Sequence, residues 1–461
     1  MITRDLTPIL SRFIDKTPVP VMARALIERT VSAAALDAWF EKQRQGQYTR
    51  ELLFSTLFEL MTQVVLRESP SVHAAYRARV GEIGVSVTSV YNKLNGLSAQ
   101  IGAGLVRRVA DEGVALIEEL GAGATPLAGY EVRILDGNTL GAREHRLEET
   151  RGATAAALPG KQLAVLDAGR GLILDLLPCA DAFTQERALL GPLWAQMQRG
   201  QLWIADRNFC IRQAFAEAAA RGACVLLREH GQMRFTPLAA VTDWQDVDGA
   251  QIGEQRVRLE ATDAWPAQEV RRICVRLAQP TRDGDETLYL LCTLPEAAAT
   301  AAQVAALYRR RWRIEAAFLS LTNELRCEVN TLAQPGAALF AFACASVAYN
   351  LIAILGAALR AAHGHEIEAS LSRYHLGHEL ERVRAGLEVA VDAEAWVVFT
   401  TLSLAAMAAW LLDTAAKADL RRYKKAVRGP KKVPVKRQND PAKPTVATAR
   451  LLAARKGRTG P

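Results

Sequence analysis

Two aspartates stand at the ends of short apolar segments that are typical of β-strands. Asp136 follows residues 131–135, and Asp206 follows residues 201–205. Active sites in α/β sheets form at the carboxyl ends of strands, so a carboxylate at either position is placed to meet a ligand or a metal ion. By side-chain alternation, each acid shares the buried face of its strand. Aspartate is also a common turn former, so neither residue alone identifies a catalytic site.

A third carboxylate belongs to a predicted helix much later in the chain. Tyr308, Arg311 and Glu315 recur at spacings of three and four residues. Residues at these spacings project from one side of a helix, and Thr322 lies close to the same stripe. An ordinary intrahelical ion pair between Arg311 and Glu315 explains the spacing equally well.

Three carboxylates, a guanidinium and a phenol together suit the chemistry of phosphodiesters. Two divalent ions about 4 Å apart can activate an attacking water or 3′-hydroxyl and stabilise the leaving oxygen. Hard ions such as Mg²⁺ bind oxygen ligands and retain water, so a few carboxylates suffice to hold them. Carboxylates gathered without a metal repel one another and therefore attract cations. An arginine adds bidentate recognition of phosphate, which lysine does not provide.

Changes of periodicity divide the chain into the regions that must position these residues. Apolar residues first recur at helical spacing, which predicts helices. Strands joined by hairpins and then by helices follow, and after them alternating strands separated by turns. This order predicts an α/β protein with distinct parts. The predicted parts are a helical region at 1–125, a mixed α/β sheet at 126–229, an all-β insertion at 230–295, a second part of the core at 296–362 and a helical region at 363–420.

Two local predictions concern the first two parts. Residues 83–94 are typical of the turn and second helix of a helix-turn-helix, with Val90 and Leu94 directed to the core and Ser86 or Thr88 as the cap. An ordinary helix hairpin is an equally open interpretation, so DNA binding by this region is a hypothesis. Within the α/β part, residues 184–199 are predicted to form a helix.

The net charge of +8 originates at the end of the sequence. Residues 421–461 contain fourteen Lys or Arg and one acid, Asp440, whereas residues 1–420 carry net negative charge. We expect a disordered basic tail, which suits phosphate backbones or anionic membranes. A tail that only aids solubility is the alternative.

Other features favour a cytoplasmic protein. The seven cysteines form no CxxC pair, which is typical of buried thiols in a reducing compartment. The first residues lack the apolar segment of an export signal. Residues 336–361 are apolar but contain Ser346, Tyr349 and Asn350, which favours a buried core helix over a membrane span.

In order along the chain, these motifs resemble the insertion-sequence-four family of DDE transposases, the group with the signature Y-x2-R-x3-E-x6-K. The resemblance extends over nearly the whole chain. One departure is Thr322, which stands where the signature has its lysine. The matching residues are Leu135-Asp-Gly-Asn-Thr139, Ala205-Asp-Arg-Asn-Phe209, Tyr308, Arg311, Glu315 and Ala348-Tyr-Asn350.

The resemblance implies an RNase H-like mixed sheet flanked by helices and cut-and-paste DNA transposition. It implies that Asp136, Asp206 and Glu315 are catalytic and bind Mg²⁺ or Mn²⁺, and that Tyr308 and Arg311 contact the terminal phosphates of the transposon end. Because two ends must meet, a homodimer on double-stranded DNA is expected. The alternatives are an RNase H-like nuclease without strand transfer and an inactive DNA-binding protein or inhibitor.

Overall fold

In a computed structural model, the described residues are 8–44, 51–153, 155–281, 284–426 and 445–458. Their centre is a ten-stranded mixed sheet. Apolar side chains form a core on each face of this sheet, and helices contribute to both cores. The sequence-based prediction of a mixed α/β sheet flanked by helices is therefore confirmed.

Helices precede the sheet, alternate with its strands and follow it along the chain. Before the sheet lie α1 (Pro8–Lys16), α2 (Pro18–Val31), α3 (Ala33–Gln43), α4 (Phe54–Val65), α5 (Val72–Ala78), α6 (Val87–Gly96) and α7 (Ala99–Glu119). The middle of the chain forms β1 (Glu131–Thr139), α8 (Glu148–Arg151), β2 (Ala157–Leu158), β3 (Lys161–Asp167), β4 (Ile173–Cys179), α9 (Gly191–Trp194), β5 (Gln201–Ala205), α10 (Arg212–Arg221), β6 (Cys224–Arg228), β7 (Phe235–Pro237), β8 (Thr242–Val247), β9 (Ala250–Leu259), β10 (Gln268–Arg276) and β11 (Thr287–Cys292). The remaining elements are α11 (Ala301–Arg309), α12 (Trp312–Asn323), α13 (Pro335–His363), α14 (Arg373–Ala390), α15 (Val398–Thr401), α16 (Leu404–Ala415), β12 (Val446–Ala447) and α17 (Thr448–Arg458).

The strand order is β4-β3-β1-β5-β6-β11-β10-β9-β7, with β8 paired to β9. β1 is antiparallel to β3 and parallel to β5, and β6 continues the parallel arrangement. The segment predicted as a β insertion does form strands, but β11 pairs with β6 and extends the central sheet. The insertion is therefore continuous with the core sheet rather than a separate sheet.

Side-chain alternation along β1 assigns its residues to the two cores. Val132 and Ile134 are buried in the larger core, which also contains residues of α7 and α13. Leu135 points to the opposite face, where it belongs to the core of Trp203 and Phe215. Asp136 follows the parity of Ile134, so its side chain is directed to the face that carries the large helical core.

The helix α13 runs through the large core. Among the described residues it is the one helix long and apolar enough to cross a membrane, and its apolar window is wholly buried inside the protein. Gly102 of α7 permits a close approach, since a Cβ there would lie 2.8 Å from the Cβ of Ala343. The apolar segment 336–361 therefore has the role of a core helix, as its polar residues predict.

Asn350 fastens α13 to the sheet. Its Oδ1 accepts a hydrogen bond from the Ile173 backbone N–H at 2.8 Å, and its Nδ2 donates to the Ile173 carbonyl at 2.9 Å. We expect Asn350→Ala to lower the free energy of unfolding by about 2 kcal/mol, because it leaves both buried backbone groups without a partner. Urea unfolding of the two proteins measures this difference.

Ser346→Ala is the matched control on the same buried helix. The Ser346 hydroxyl donates to the Phe342 carbonyl within the helix, so its removal leaves no backbone group of the sheet unsatisfied. We expect a change within about 0.5 kcal/mol for this control. Equal losses for the two variants would contradict the assignment of a special role to Asn350.

Residues 184–199 do not form the predicted helix. Residues 186–189 form a single 3-10 turn, and the four-residue helix α9 begins at Gly191. Pro192 stands in the first turn of α9, where its missing N–H is tolerated; in a helix that began at residue 184 it would be an interior residue and would break the helix. The helix prediction was therefore wrong, because proline divides the segment.

The segment predicted as a helix-turn-helix contains a capped helix. Ser86 Oγ accepts a hydrogen bond from the Ser89 backbone N–H at the start of α6. Val90 and Leu94 are fully buried, so the predicted core positions are confirmed. Which part of this region contacts DNA stays a prediction.

The predicted disordered tail at 421–461 is wrong in part. Residues 446–458 form β12 and α17, with β12 pairing in parallel with β2. Arg450 lies 2.8 Å from Asp181, and Arg455 lies 2.6 Å from Glu149, so basic residues fix this segment to acidic ones. Residues 427–444 lie outside the described residues.

Candidate active site

Asp136 lies within β1, not at its end. The strand continues to Thr139, because β3 pairs with it up to the Thr139–Lys161 position. The prediction that Asp136 ends its strand was therefore wrong by three residues. Its carboxylate accepts a hydrogen bond from the Gly137 backbone N–H at 2.9 Å, and its side chain is about one-fifth exposed, at 19%.

Asp206 directly follows β5, as predicted. It caps the short 3-10 turn at 207–209, and its carboxylate accepts a hydrogen bond from the Arg207 backbone N–H. Leu135 and Ala205 are partners in the parallel pairing of β1 with β5. Asp136 and Asp206 therefore each come directly after one member of a paired position on two neighbouring strands.

Glu315 approaches from the helices that follow the sheet. The predicted single helix is divided, because α11 ends at Arg309 and α12 begins at Trp312. Arg311 keeps right-handed helical backbone at the division and occupies the N-cap position of α12. Arg311 still interacts with residues of both helices. Tyr308 lies in the last turn of α11, and Glu315 lies in the first turn of α12.

Arg311 joins two of the three carboxylates. Its Nη1 lies 3.0 Å from Asp136 Oδ2, and its Nη2 lies 2.6 Å from Glu315 Oε1. The intrahelical pair with Glu315 is therefore present, together with a contact to the sheet. The Arg311 side chain is only 12% exposed, so both ion pairs form in a region of reduced dielectric.

The carboxylates influence one another electrostatically. Burial raises the pKa of Asp136 to about 6; Arg311 and the Gly137 N–H oppose this rise, and the charges of Asp206 and Glu315 add to it. Burial also raises the pKa of Tyr308, so its phenol stays protonated and can donate a hydrogen bond. Direct contacts thus join Asp136, Arg311 and Glu315, and Asp206 and Tyr308 lie near enough to interact electrostatically with members of this group.

The oxygen donors of the site suit a divalent ion in type. Within the residues that the structure describes, no group of three or more His, Cys, Asp or Glu side chains is arranged to hold a metal ion. The guanidinium of Arg311 stands between Asp136 and Glu315 instead. Carboxylate oxygens are the ligands that Mg²⁺ and Mn²⁺ prefer, and the site already attracts one cationic group.

A cation also stands beside Thr322, the position where the signature has lysine. Arg67 follows α4 in the turn after Leu66, and its Nη2 donates to the carbonyl of Asn323 at 2.8 Å. Arg67 is exposed and has a left-handed backbone, with φ of 68°. Its charge reaches the last turn of α12 from a distant part of the chain, which no sequence spacing indicates.

Another acid near the site was not predicted. Glu186 Oε2 accepts a hydrogen bond from Asn208 Nδ2 at 2.5 Å, two residues after Asp206. A Cβ at Gly137 would overlap the present position of Glu186 Oε1, so a larger residue there would displace the Glu186 carboxylate. The only signal in the sequence is Gly137 itself, and it does not identify its neighbour.

Asp175 is a further buried acid of the sheet, in β4, and has a structural role. Its Oδ1 lies 2.6 Å from Arg107 Nη1 of α7. Burial raises the pKa of Asp175, and Arg107 opposes that rise. The residue therefore connects β4 to α7 and takes no part in the group around Arg311.

The chain is similar to known transposases. A family model for the transposase DDE domain matches residues 127–351, which include Asp136, Asp206 and Glu315. Among solved structures, a cryo-EM structure of the piggyBac transposase synaptic complex with hairpin DNA aligns with a TM-score of 0.37 and 9% identity, over 83% of this chain and 84% of that chain. Nothing about this chain's function follows from similarity at that level. No curated protein matches the chain. The family match therefore shows similarity to the transposase DDE domain over residues 127–351.

Proposed function

We propose that the protein is a transposase of the insertion-sequence-four family, with the Tyr-Arg-Glu-Lys signature, that performs cut-and-paste transposition. It cleaves DNA at transposon ends and joins the freed 3′-hydroxyls to a target duplex. The observation that carries the proposal is that Arg311 joins Asp136 of the sheet to Glu315 of a distant helix, with Asp206 near enough for its charge to raise the pKa of Asp136.

An RNase H-like core is part of the proposal. Supporting it, β4, β3 and β1 form an antiparallel set beside the parallel strands β5 and β6. Asp136 lies on β1 and Asp206 directly follows β5, and these two strands are neighbours in this part of the sheet. Polar residues at the centre of such a sheet meet ligands at the carboxyl edge of the parallel strands.

Asp136, Asp206 and Glu315 would hold Mg²⁺ or Mn²⁺. Two such ions, when bound, activate the attacking oxygen and stabilise the leaving oxygen of an in-line displacement. Arg311 forms a fork of donors that suits a phosphate as well as it suits the two carboxylates it now contacts. Tyr308, held as a neutral phenol, donates a hydrogen bond to a phosphate of the transposon end, and Arg67 supplies the positive charge that Thr322 lacks.

Other parts of the chain complete the proposed enzyme. The helical region at 1–125 and the basic residues after 421 contribute to DNA binding, the helices at 363–420 support the core at 126–229 and 296–362, and a homodimer forms on the DNA. The protein acts in the cytoplasm on double-stranded DNA. These assignments follow from charge and from the need to hold two ends.

The proposal is tested with DNA that carries the native flanks of the coding region. We expect cleavage at the inverted repeats and joining to a target plasmid when Mg²⁺ or Mn²⁺ is present, and neither product after chelation with EDTA. Gel analysis and sequencing of the junctions measure both steps. Cleavage without joining would identify a nuclease, and binding without metal-dependent cleavage would identify an inactive DNA-binding protein; either result rejects the proposal.

A further inference from the structure

A basic cavity lies beside the loop that carries Asp206. It has a volume of ≈310 Å³ and lies between the segments that follow β5 and β6. Because β5 and β6 are parallel, these segments leave the same edge of the sheet as Asp206. We name it the edge cavity; the charged side chains and the histidine that line it are Arg187, Arg212, His230, Arg234 and Glu260.

The three arginines of the edge cavity lack acidic partners. None of Arg187, Arg212 and Arg234 lies within ion-pair distance of a carboxylate among the described residues, although most other arginines around the sheet do, such as Arg271 and Arg272. One lining residue, Glu260, is acidic, so the cavity carries excess positive charge. Unpaired guanidinium groups around a cavity favour an anionic ligand.

Arg212 shows the missing partner most clearly. Its Nη2 donates to the Pro266 carbonyl, but its Nε and Nη1 are buried without any hydrogen-bond partner in the described structure. Burial lowers the pKa of Arg212, and no acid opposes that effect. A buried donor without an acceptor costs free energy, which an incoming anion would recover.

Arg187 connects the edge cavity with the loop that follows Asp206, and His230 adds a ring to the cavity lining. Arg187 Nε donates to the carbonyl of Asn208 at 2.8 Å, two residues beyond Asp206. His230 Nδ1 accepts a hydrogen bond from the Gln232 N–H, which leaves Nε2 as the donor of a neutral ring. Burial lowers the pKa of His230, and the charges of Arg187 and Arg207 lower it further.

The geometry points to the edge cavity as a binding site for a backbone phosphate of the DNA strand that passes Asp206. The inference rests on the proposed function and names a contact outside its five site residues. Duplex DNA presents phosphates at regular spacing, and arginine side chains without protein acceptors bind them without reading sequence. The cavity would therefore fix the position of the strand at the carboxyl edge, with the carboxylates around Arg311 on the adjoining face.

The test uses the full chain and a short duplex of arbitrary sequence, because phosphate contacts carry no sequence information. We compare Arg234→Ala and the double variant Arg212→Gln/Arg234→Ala with the unaltered protein at several salt concentrations. Loss of this one phosphate in the double variant is expected to reduce the slope of log affinity against log salt by about 0.9 and to weaken binding about tenfold, with a smaller loss for Arg234→Ala. The Arg234 side chain is exposed and pairs with no acid in the described part of the chain, so its removal should not disturb folding.

Arg199→Ala is the matched control. Arg199 is also exposed, but it precedes β5, about 17 Å of strand away from Asp206. Unchanged affinity and salt slope for this control, with the stated losses for the cavity variants, supports the inference. Cavity variants that bind like the unaltered protein overturn the inference alone. Failure of the unaltered protein to bind any duplex overturns the inference together with the proposed function.

Discussion

Asp206→Asn is expected to reduce DNA cleavage by about 1,000-fold or more, which corresponds to about 4 kcal/mol of lost transition-state stabilisation. The variant replaces one charged oxygen by an amide and thereby removes a ligand that a hard divalent ion requires. An asparagine oxygen can still accept the hydrogen bond from the Arg207 N–H, so the cap of the following turn remains. Single-turnover cleavage of flank-containing DNA in Mg²⁺ measures the loss.

Glu131→Gln is the control for this loss. Glu131 is an exposed carboxylate at the first position of β1, at the end of the strand remote from the site, and it pairs with Arg133 at 2.9 Å. We expect its cleavage rate to stay within about twofold, since an exposed ion pair contributes little. Thermal unfolding of both variants excludes loss of fold as the cause. Retention of full activity by Asp206→Asn would reject the assigned site.

The residue types of the site were predictable from the sequence, whereas the contact that organises them was predictable only in part. Helical spacing predicts the pair of Arg311 with Glu315, which the structure contains. The contact of the same guanidinium with Asp136 joins residues 175 positions apart. A local pattern reports neighbours along one helix, and only the packing of α12 against β1 determines this second partner.

The length of β1 shows how tertiary pairing overrides a local signal. Asp136, Gly137 and Asn138 are strong turn formers, so the sequence favours an end to the strand at residue 135. In the structure β3 provides a partner for each residue up to Thr139, and the strand continues. The local preference of these residues for a turn is weaker than the effect of a neighbouring strand that satisfies their backbone groups.

The connection of the β segment to the sheet was also beyond local prediction. Alternation of apolar and polar residues predicted strands within residues 230–295, and β9 shows it as alternate buried and exposed positions over residues 255–259. Their attachment depends on the pairing of Leu291 with Leu227, which joins distant parts of the chain. Periodicity reports which face is buried but not which strand lies alongside, so the continuous sheet could not be derived.

The ionised Asp136 carboxylate is expected to lower the free energy of unfolding of the metal-free protein. In metal-free protein, Asp136→Asn is expected to be more stable than the unaltered chain by roughly 3 kcal/mol at pH 8, the equivalent of a rise of about two pKa units. Burial raises the pKa of this carboxyl from 3.8 to about 6, despite the opposing charge of Arg311. The folded protein must therefore hold a charge near neutral pH that its environment disfavours.

The raised pKa of Asp136 determines how the stability difference between the two proteins depends on pH. Below about pH 4 the carboxyl is protonated in both the folded and the unfolded chain, so its contribution to stability is fully present and the variant has no advantage. As the pH rises through about 6, the folded carboxyl ionises and that stability is lost. Urea unfolding with EDTA, at intervals from about pH 4 to 8, should show the two stability curves diverge with rising pH.

Asp263→Asn serves as the control, because Asp263 is an exposed acid in the turn between β9 and β10. Its stability curve should follow that of the unaltered protein. Added Mg²⁺ should stabilise the unaltered chain more than Asp136→Asn, since an ion that binds only the folded state draws on this carboxylate. Parallel curves for Asp136→Asn and the unaltered chain at every pH would show that the buried charge is compensated. In that case the prediction that the Asp136 carboxylate lowers the stability of the metal-free protein would be wrong.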